Sequence, residues 1–386
     1  MQPARSAASS ASSSIGATLR PVAVEAWDSA VADFDGICQE QLVAFSARRW
    51  PGVALEPVLV EAGGHILGGA LMMIQRVPLG LGAIAVAKWA PMLADEISDG
   101  AAERYDAMVG ALMAEYADRR AMTLSILPRA SIAPQNPESA VLAARGFAAK
   151  PELLFPNRYI VDIALSDEDR RKAFAQKWRY HLNKADTAGL TFEHAGPESR
   201  PIFDALYETM VDRKKFPDHS AYETVPDLFA IADARLRPEL FFVRKDGKAV
   251  AGAIIFTAGR RAVYLYGATN AEALDLRAGY FLHWHVIRWL RDNTRARWYD
   301  LGGTDGFAGL HQFKKGMVGT AGVIEPVPPV GIHASRPLPL LIGHSAFALR
   351  SIQRHATHAL ERLRPNGAKP DQGRVTDIAS DRRSDR

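Results

Sequence analysis

Apolar and polar positions along the chain follow two periods, and the changes of period mark its elements. Val58 to Met73 (VLVEAGGHILGGALMM) reads as two apolar runs around a Gly-containing turn, the pattern of a β-hairpin whose turn glycines tolerate positive φ. An apolar strand (Ala83 to Ala90), an amphipathic helix (Ala101 to Arg119), a strand (Met122 to Leu127) and a short helix (Glu138 to Arg145) follow, closed by Gly146 and Phe147. Leu153 to Ile163 is expected to supply the last strand of this set. Ser166 to Ala188 opens with an N-cap serine and an acidic first turn. It carries Phe174, Trp178 and Leu182 four apart, which predicts a helix that begins a second domain.

The same order then returns. At an offset of 183 residues and without gaps, Val58 to Met73 aligns with Phe241 to Phe256 (FFVRKDGKAVAGAIIF), so that Val60 meets Val243, Gly64 meets Gly247, Gly69 meets Gly252 and Ala70 meets Ala253. Behind the second hairpin come a strand (Ala262 to Gly267), a helix (Ala278 to Asp292), a strand (Trp298 to Leu301), a short helix (Gly309 to Lys315) and Gly316-Met317. Two copies of one α/β unit are expected, each an α+β arrangement of a mixed sheet with flanking helices.

The expected organisation is a disordered Ser/Ala tail over residues 1–20, a first domain over 21–165 and a second over 166–325. Residues 326–386 are expected to hold a Pro-rich linker (VPPVGIHASRPLP), a basic amphipathic helix and a disordered tail. That helix, Leu340 to Leu363, places Arg350, Arg354, His358 and Arg362 on a polar face. The chain has 386 residues, 48% hydrophobic and 23% charged, which excludes wholesale disorder and a fibrous design. Cys38 is the single cysteine, so no internal disulfide or thiolate metal cage is available and a reducing compartment is expected. The longest uncharged apolar stretches, Ala62 to Gln75 and Val77 to Ala87, fall short of a membrane span. The first residues lack the apolar middle of a secretory signal, and a transit peptide stays open on composition.

Charge is uneven. Residues 1–165 hold 13 basic and 17 acidic side chains, residues 166–325 hold 24 and 21, and residues 326–386 hold 10 and 5. A basic second part permits a polyanionic partner without demanding one.

The run Trp298 to Gly319 (WYDLGGTDGFAGLHQFKKGMVG) resembles the end of the catalytic domain of the Fem family, the aminoacyltransferases that build peptidoglycan cross-bridges. There a Y-D-φ-G-G strand precedes a G-L-x-x-F-K-x-x-φ-G segment. WRYHLNKADTAGL (Trp178 to Leu190) is similar to the family's R-x-x-x-x-K-A-x-x-x-G-L helix end, YETMVDRKKF (Tyr207 to Phe216) to its Y-x-x-T-x-x-R-x-x-F helix, and VYLYGAT (Val263 to Thr269) to its aromatic strand. The likeness covers roughly residues 50–325. It implies two tandem GNAT domains with no metal and no bound cofactor. It also implies transfer of an amino acid from aminoacyl-tRNA to an amine of a muropeptide or lipid-linked cell-wall precursor at the cytoplasmic face of the membrane. The chain departs from the best-known members in lacking a charged helical arm between Phe192 and Leu301.

The resemblance assigns roles residue by residue. Phe313 and Lys314 take the place of the family's Phe-Lys pair, with Lys314 stabilising the oxyanion; by pattern alone, Lys314 and Lys315 are a solvated helix face. Arg213 is placed to hold phosphates or carboxylates of the acceptor, with Lys214 and Lys215 widening the patch. Tyr264 and Tyr266, two apart on a strand, are expected on the same side, where either hydroxyl could reach the acceptor or pack in the core. Asp300 and Asp305 fall at or past a strand end, Asp300 either holding the loop or acting as a base. His283 and His285 do not face one another, which argues against a metal pair, and His311 is either a proton shuttle or a packing residue. The basic residues between Arg170 and Lys184, with Arg288, Arg291, Arg295 and Arg297, supply either a tRNA surface or solvated faces.

Two other readings remain open. An acyl-CoA-dependent GNAT transferase needs a Q/R-x-x-G-x-G/A turn to cradle a pyrophosphate, and LDLRAGYFLHW has Arg277 and Gly279 at the wrong spacing. A noncatalytic muropeptide- or tRNA-binding protein would leave Lys314 dispensable.

Overall fold

The computed structural model describes residues 16–77, 81–133, 135–150, 155–214, 221–304 and 306–341. The Ser/Ala tail up to residue 15, Asp305, Lys215, and all but the first two residues of the expected C-terminal helix lie outside the described residues.

In chain order the first elements are β1 Thr18–Pro21, α1 Val24–Val31, α2 Val43–Arg49, β2 Ala54–Ala62, β3 His65–Val77, β4 Gly82–Lys88, β5 Met92–Leu93, α3 Ala101–Leu112, β6 Thr123–Leu127, α4 Pro137–Ala144 and β7 Ala148–Lys150. Then come β8 Asn157–Asp162, α5 Asp167–Ala173, α6 Gln176–Asp186, β9 Leu190–Ala195, α7 Arg200–Lys214, α8 Val225–Phe229, β10 Glu239–Lys245, β11 Lys248–Phe256 and β12 Arg261–Thr269. The last are α9 Glu272–Asp275, α10 Ala278–Asn293, β13 Trp298–Asp300, α11 Ala308–Val318, β14 Val323–Pro326 and β15 Val330–His333. No helix among the described residues is long and apolar enough to cross a membrane.

Two compact units result, one from the described residues up to 150 together with 328–341, the other from residues 155–327. The sheet of the first runs β1-β2-β3-β4-β6-β15-β7, with β5 paired to β3; that of the second runs β9-β10-β11-β12-β13-β8-β14. Position by position the two orders correspond, and among the described residues one pair in each, β4–β6 or β12–β13, is parallel. The repeat is therefore structural. Both hairpins break register at equivalent points, Val60/Glu61 and Val243/Arg244, and their turns carry Gly64 and Gly247 at φ 79° and 78°.

The matched glycines have a matched cause. A Cβ on Gly69 would come within 2.8 Å of the Val58 carbonyl oxygen and 2.9 Å of the Trp27 ring. One on Gly252 would come within 2.9 Å of the Phe203 ring and 3.1 Å of the Phe241 carbonyl oxygen. In each unit a helix, α1 or α7, presses a fully buried aromatic ring against the strand, and only glycine leaves room for it.

Three expectations are corrected. Residues 18–20, expected in the tail, belong to the strand β1, which pairs with β2. The strand within Leu153 to Ile163 belongs to the second unit, where β8 pairs β13 and β14. The stretch read as a linker contains β15, which pairs β6 and β7 with Val330 and Ile332 buried. Both sheets thus fill the place next to one edge with a strand that is not next in sequence, so no local pattern announces its partners.

The stretch Ser166 to Ala188 also forms two helices. The Ser166 hydroxyl caps α5 by accepting from the Asp169 N–H, but Phe174 and Ala175 are extended, each with ψ 147°. The Ala175 N–H donates to Gly316 (3.0 Å), the Thr320 N–H to Ala173 (2.9 Å) and the buried Arg170 Nη2 to Val318 (3.1 Å). These bonds to the end of α11 replace the intrahelical bonds lost at the break.

Apolar side chains cover both faces of the second sheet. Trp178 and Leu182 of α6, Phe281, Leu282 and Leu290 of α10, and Met317 of α11 cover one face. Phe203, Leu206, Tyr207 and Met210 of α7 cover the other.

Candidate functional site

The end of β13, level with the first residues of its parallel partner β12, leads into a loop held by α11, and chemistry-bearing side chains gather there. Asp300 closes β13 and is buried. Its carboxylate accepts from Arg158 Nε on the adjacent β8 (3.1 and 3.2 Å) and from the Gly302 N–H (2.9 Å). Burial pushes the Asp300 carboxyl up, yet Arg158 and Arg261 outweigh it and hold the group below the usual carboxylate range. Asp300 is therefore an ionised anchor for the loop.

Lys314 grips the same loop from the other side. It sits on α11, 6% exposed, and its Nζ donates to the carbonyls of Leu301 (2.6 Å) and Gly303 (2.5 Å). Gly302 between them has φ 76°, which turns both neighbouring carbonyls toward one ammonium. The solvated-face reading of Lys314 is thus wrong, whereas it holds for the exposed Lys315.

Phe313 packs edge-on against Tyr280 (centroids 4.9 Å apart) and near His283 (5.6 Å). His283 is buried, with Tyr299 Oη 3.2 Å from its Nδ1 and Tyr264 edge-on at 4.9 Å. Burial first, and the charge of Lys314 second, push its pKa down to about 3, so the ring is neutral. His311, on the first turns of α11, lies 2.5 Å from Tyr159 Oη through Nδ1, a contact that packs the helix onto β8.

Tyr264 and Tyr266 do not share a face. The register of β11 and β12 slips between Ile254 and Ile255, so that Tyr266 faces Ile254 and Tyr264 faces Ile255. A bulge at Leu265 inverts the alternation. Tyr264 packs with His283 and Tyr299 on the α10 side, its hydroxyl lying over Gly267, where a Cβ would be 1.5 Å away. Tyr266 packs with Tyr207 and Tyr222 on the α7 side. Arg213, exposed on α7, donates to the carbonyl (3.1 Å) and hydroxyl (3.3 Å) of Thr269 at the end of β12. Phe313, Lys314 and Tyr264 are brought together, while Arg213 and Tyr266 belong to the opposite face.

Most of the basic residues expected at a nucleic-acid surface are already engaged. Arg288 and Arg291 pair with Asp167, Arg171 with Asp186 and Arg297 with Asp162; Arg170 is buried and Arg295 donates to the Ala258 carbonyl. Arg158 and the buried His283 are the contributors that sequence reasoning missed or set aside. Arg158 stands in a strand with no motif, and only the pairing of β8 with β13 brings it to Asp300. Among the described residues no group of three or more His, Cys, Asp or Glu side chains could hold a metal ion.

Residues 170–315 match the family model described as an acetyltransferase (GNAT) domain. No curated protein matches the sequence. Among solved structures, the chain is similar to FemX with a TM-score of 0.65 at 16% identity, covering 82% of this chain and 97% of FemX. It is also similar, with a TM-score of 0.50 at 12% identity, to a conserved protein of unknown function from Bacteroides thetaiotaomicron, covering 81% of this chain and 98% of that one. With two sheets of one strand plan and a GNAT match over the second, the chain has a Fem-like tandem GNAT fold.

Proposed function

We propose that this protein is an acyltransferase that moves an amino acid from aminoacyl-tRNA to an amine of a muropeptide or lipid-linked cell-wall precursor, working in the cytoplasm with peripheral contact to the membrane. The observation that carries the reading is the buried Lys314 ammonium, fixed by the Leu301 and Gly303 carbonyls beside Phe313 in the loop that follows β13.

The acceptor's neutral amine attacks the ester carbonyl of the donor, the carbon–oxygen bond to the ribose breaks, an amide forms, and the proton lost by the amine ends on the ribose oxygen. The carbonyl oxygen is negative in between. A positive group held in place beforehand stabilises it without reorganisation, worth about 10²- to 10³-fold in rate. Lys314 supplies that charge, Phe313 shapes the wall beside it, and Asp300 acts through the loop it anchors. Tyr264 lies on the side of Lys314, whereas Arg213 and Tyr266 would meet a more distant part of the acceptor. The neutral His283 adds no competing charge next to Lys314.

The GNAT match over residues 170–315 favours one second reading, acyl transfer from coenzyme A. Incubating the purified protein with a muropeptide precursor and either charged tRNA or acyl-CoA, and weighing the product, separates the two. A mass increase by one amino acid only with charged tRNA is expected; an acyl adduct only with acyl-CoA would overturn the proposal.

A further inference from the structure

The hairpin of β3 and β4 outruns its neighbours in the first unit. The two strands pair as far as Val77 opposite Gly82, three residues past Ile74, where β2 starts at Ala54, and two short of Ile84, where β6 starts at Thr123. At about 3.3 Å per residue, roughly 10 Å of ribbon projects beyond the sheet. Val77 there is partly exposed, Leu81 is 54% exposed, and Arg76 beside them is exposed.

A second segment comes to the same end. β15 runs antiparallel to β6 and finishes at His333 opposite Leu124. The Ser335 hydroxyl then donates to Asp118 and the Thr123 hydroxyl to the Pro339 carbonyl, which seats the helical turn 337–341 at the start of β6. Leu338 and Leu341, three apart and so on one side of the turn, are 62% and 64% exposed. Arg336, just before the turn, is exposed. Three exposed leucines are thus brought to one end of the first unit, and grouped apolar exposure marks an interaction site.

The charges around it say what covers it. Glu56, Glu115 and Asp118 on the neighbouring elements are engaged by Arg120, Arg119 and Ser335, whereas among the described residues no carboxylate pairs with Arg76 or Arg336. Residues 342–364, which follow the turn, add four arginines against one acidic residue. Aliphatic side chains on projecting segments, beside guanidinium groups without a partner, suit a surface that is apolar beneath and phosphate-bearing above. We infer that this end of the first unit is where the protein lies on an anionic bilayer. Val77, Leu81, Leu338 and Leu341 enter the boundary between headgroups and acyl chains, and Arg76 and Arg336 meet lipid phosphates. The inference rests on the proposed function for its membrane setting and names the surface that makes the contact.

The test sediments the full chain with vesicles of phosphatidylcholine, with and without phosphatidylglycerol, over a salt series. Wild type is expected to bind the anionic vesicles, less tightly as salt rises. Arg76→Gln with Arg336→Gln should weaken that binding about 25-fold, roughly fivefold for each arginine, and reduce its salt dependence. Leu81→Ser with Leu341→Ser should weaken it about tenfold and leave the salt dependence unchanged, since apolar burial is what is lost. Ile97→Ser, at a position 65% exposed but near the other end of β3, in the loop after β5, should bind like wild type. All five positions are exposed, and circular dichroism checks the fold.

Equal binding to both kinds of vesicle, or unchanged binding by both double variants, would overturn the inference. So would a wild-type dimer that the leucine variant dissolves with no change in vesicle binding, which would make the patch an interface between copies. Transfer to a precursor by a wild type that ignores anionic vesicles would reject the surface and leave the reaction standing. Anionic-vesicle binding lost in the variants, with no transfer from charged tRNA by wild type, would reject the reaction and leave the surface standing.

Discussion

The Nζ of Lys314 donates to the carbonyl oxygen of Leu301 at 2.6 Å, thirteen residues back along the chain. One ammonium therefore ties the helix α11 to the loop that follows β13. Its removal should have two separable effects. Lys314→Ala is expected to cut turnover by two to three orders of magnitude if the charge serves the oxyanion. It also strands two carbonyls, at a cost of about 1–3 kcal/mol of stability. Steady-state kinetics and thermal melts read the two apart. A variant that loses stability while keeping turnover would reduce Lys314 to a structural tie.

His283 gives the fold a pH dependence. Its pKa of about 3 in the folded protein lies below the ordinary histidine value near 6.5, so the unfolded chain binds the proton more readily. The stability this neutral ring contributes is complete above about pH 6.5 and is lost as pH falls toward 3, by up to tenfold in the unfolding constant per pH unit. His283→Gln should flatten that slope in denaturant titrations between pH 6.5 and 4. An equal slope in both proteins would place the acid sensitivity elsewhere.

Much of this was legible because local patterns and tertiary structure agree. The repeat at an offset of 183 marks the two hairpins, and the structure adds matched register breaks at Val60/Glu61 and Val243/Arg244. What escaped depends on partners distant in sequence. Nothing in Val330 to His333 announces a strand between β6 and β7, and nothing in Asn157 to Asp162 announces one between β13 and β14. The helix break at Phe174 follows from bonds to α11, and the bulge at Leu265, which sends Tyr264 and Tyr266 to opposite faces, has no signature in VYLYGAT. Lys314 was findable as a motif residue, but its burial under two carbonyls was not.

The paired glycines allow a test of the repeat itself. Gly69→Ala and Gly252→Ala each force a Cβ to within 2.9 Å of a buried ring, so each should destabilise by about 1–3 kcal/mol through overpacking. Trimming the ring should relieve the clash: Gly69→Ala is expected to cost less in a Trp27→Leu background, and Gly252→Ala less in a Phe203→Leu background. Chemical denaturation of the single and double variants measures the coupling. Additive costs in either pair would mean that the ring and the glycine do not constrain each other.

Arg213 offers the sharpest separation of the two faces of the second sheet. It is exposed on α7, donates to Thr269, and lies on the side of Tyr266, away from Phe313 and Tyr264. A contact made there to an anionic group of the acceptor would be the same in the ground and transition states, and its loss would fall on binding alone. Arg213→Ala is therefore expected to raise the acceptor KM about tenfold, about 1.4 kcal/mol, with kcat nearly unchanged, while Lys314→Ala lowers kcat. Because the Thr269 contacts are exposed, the melting temperature should move little. A fall in kcat at normal KM would place Arg213 at the reacting centre and contradict the division of the site between the two faces.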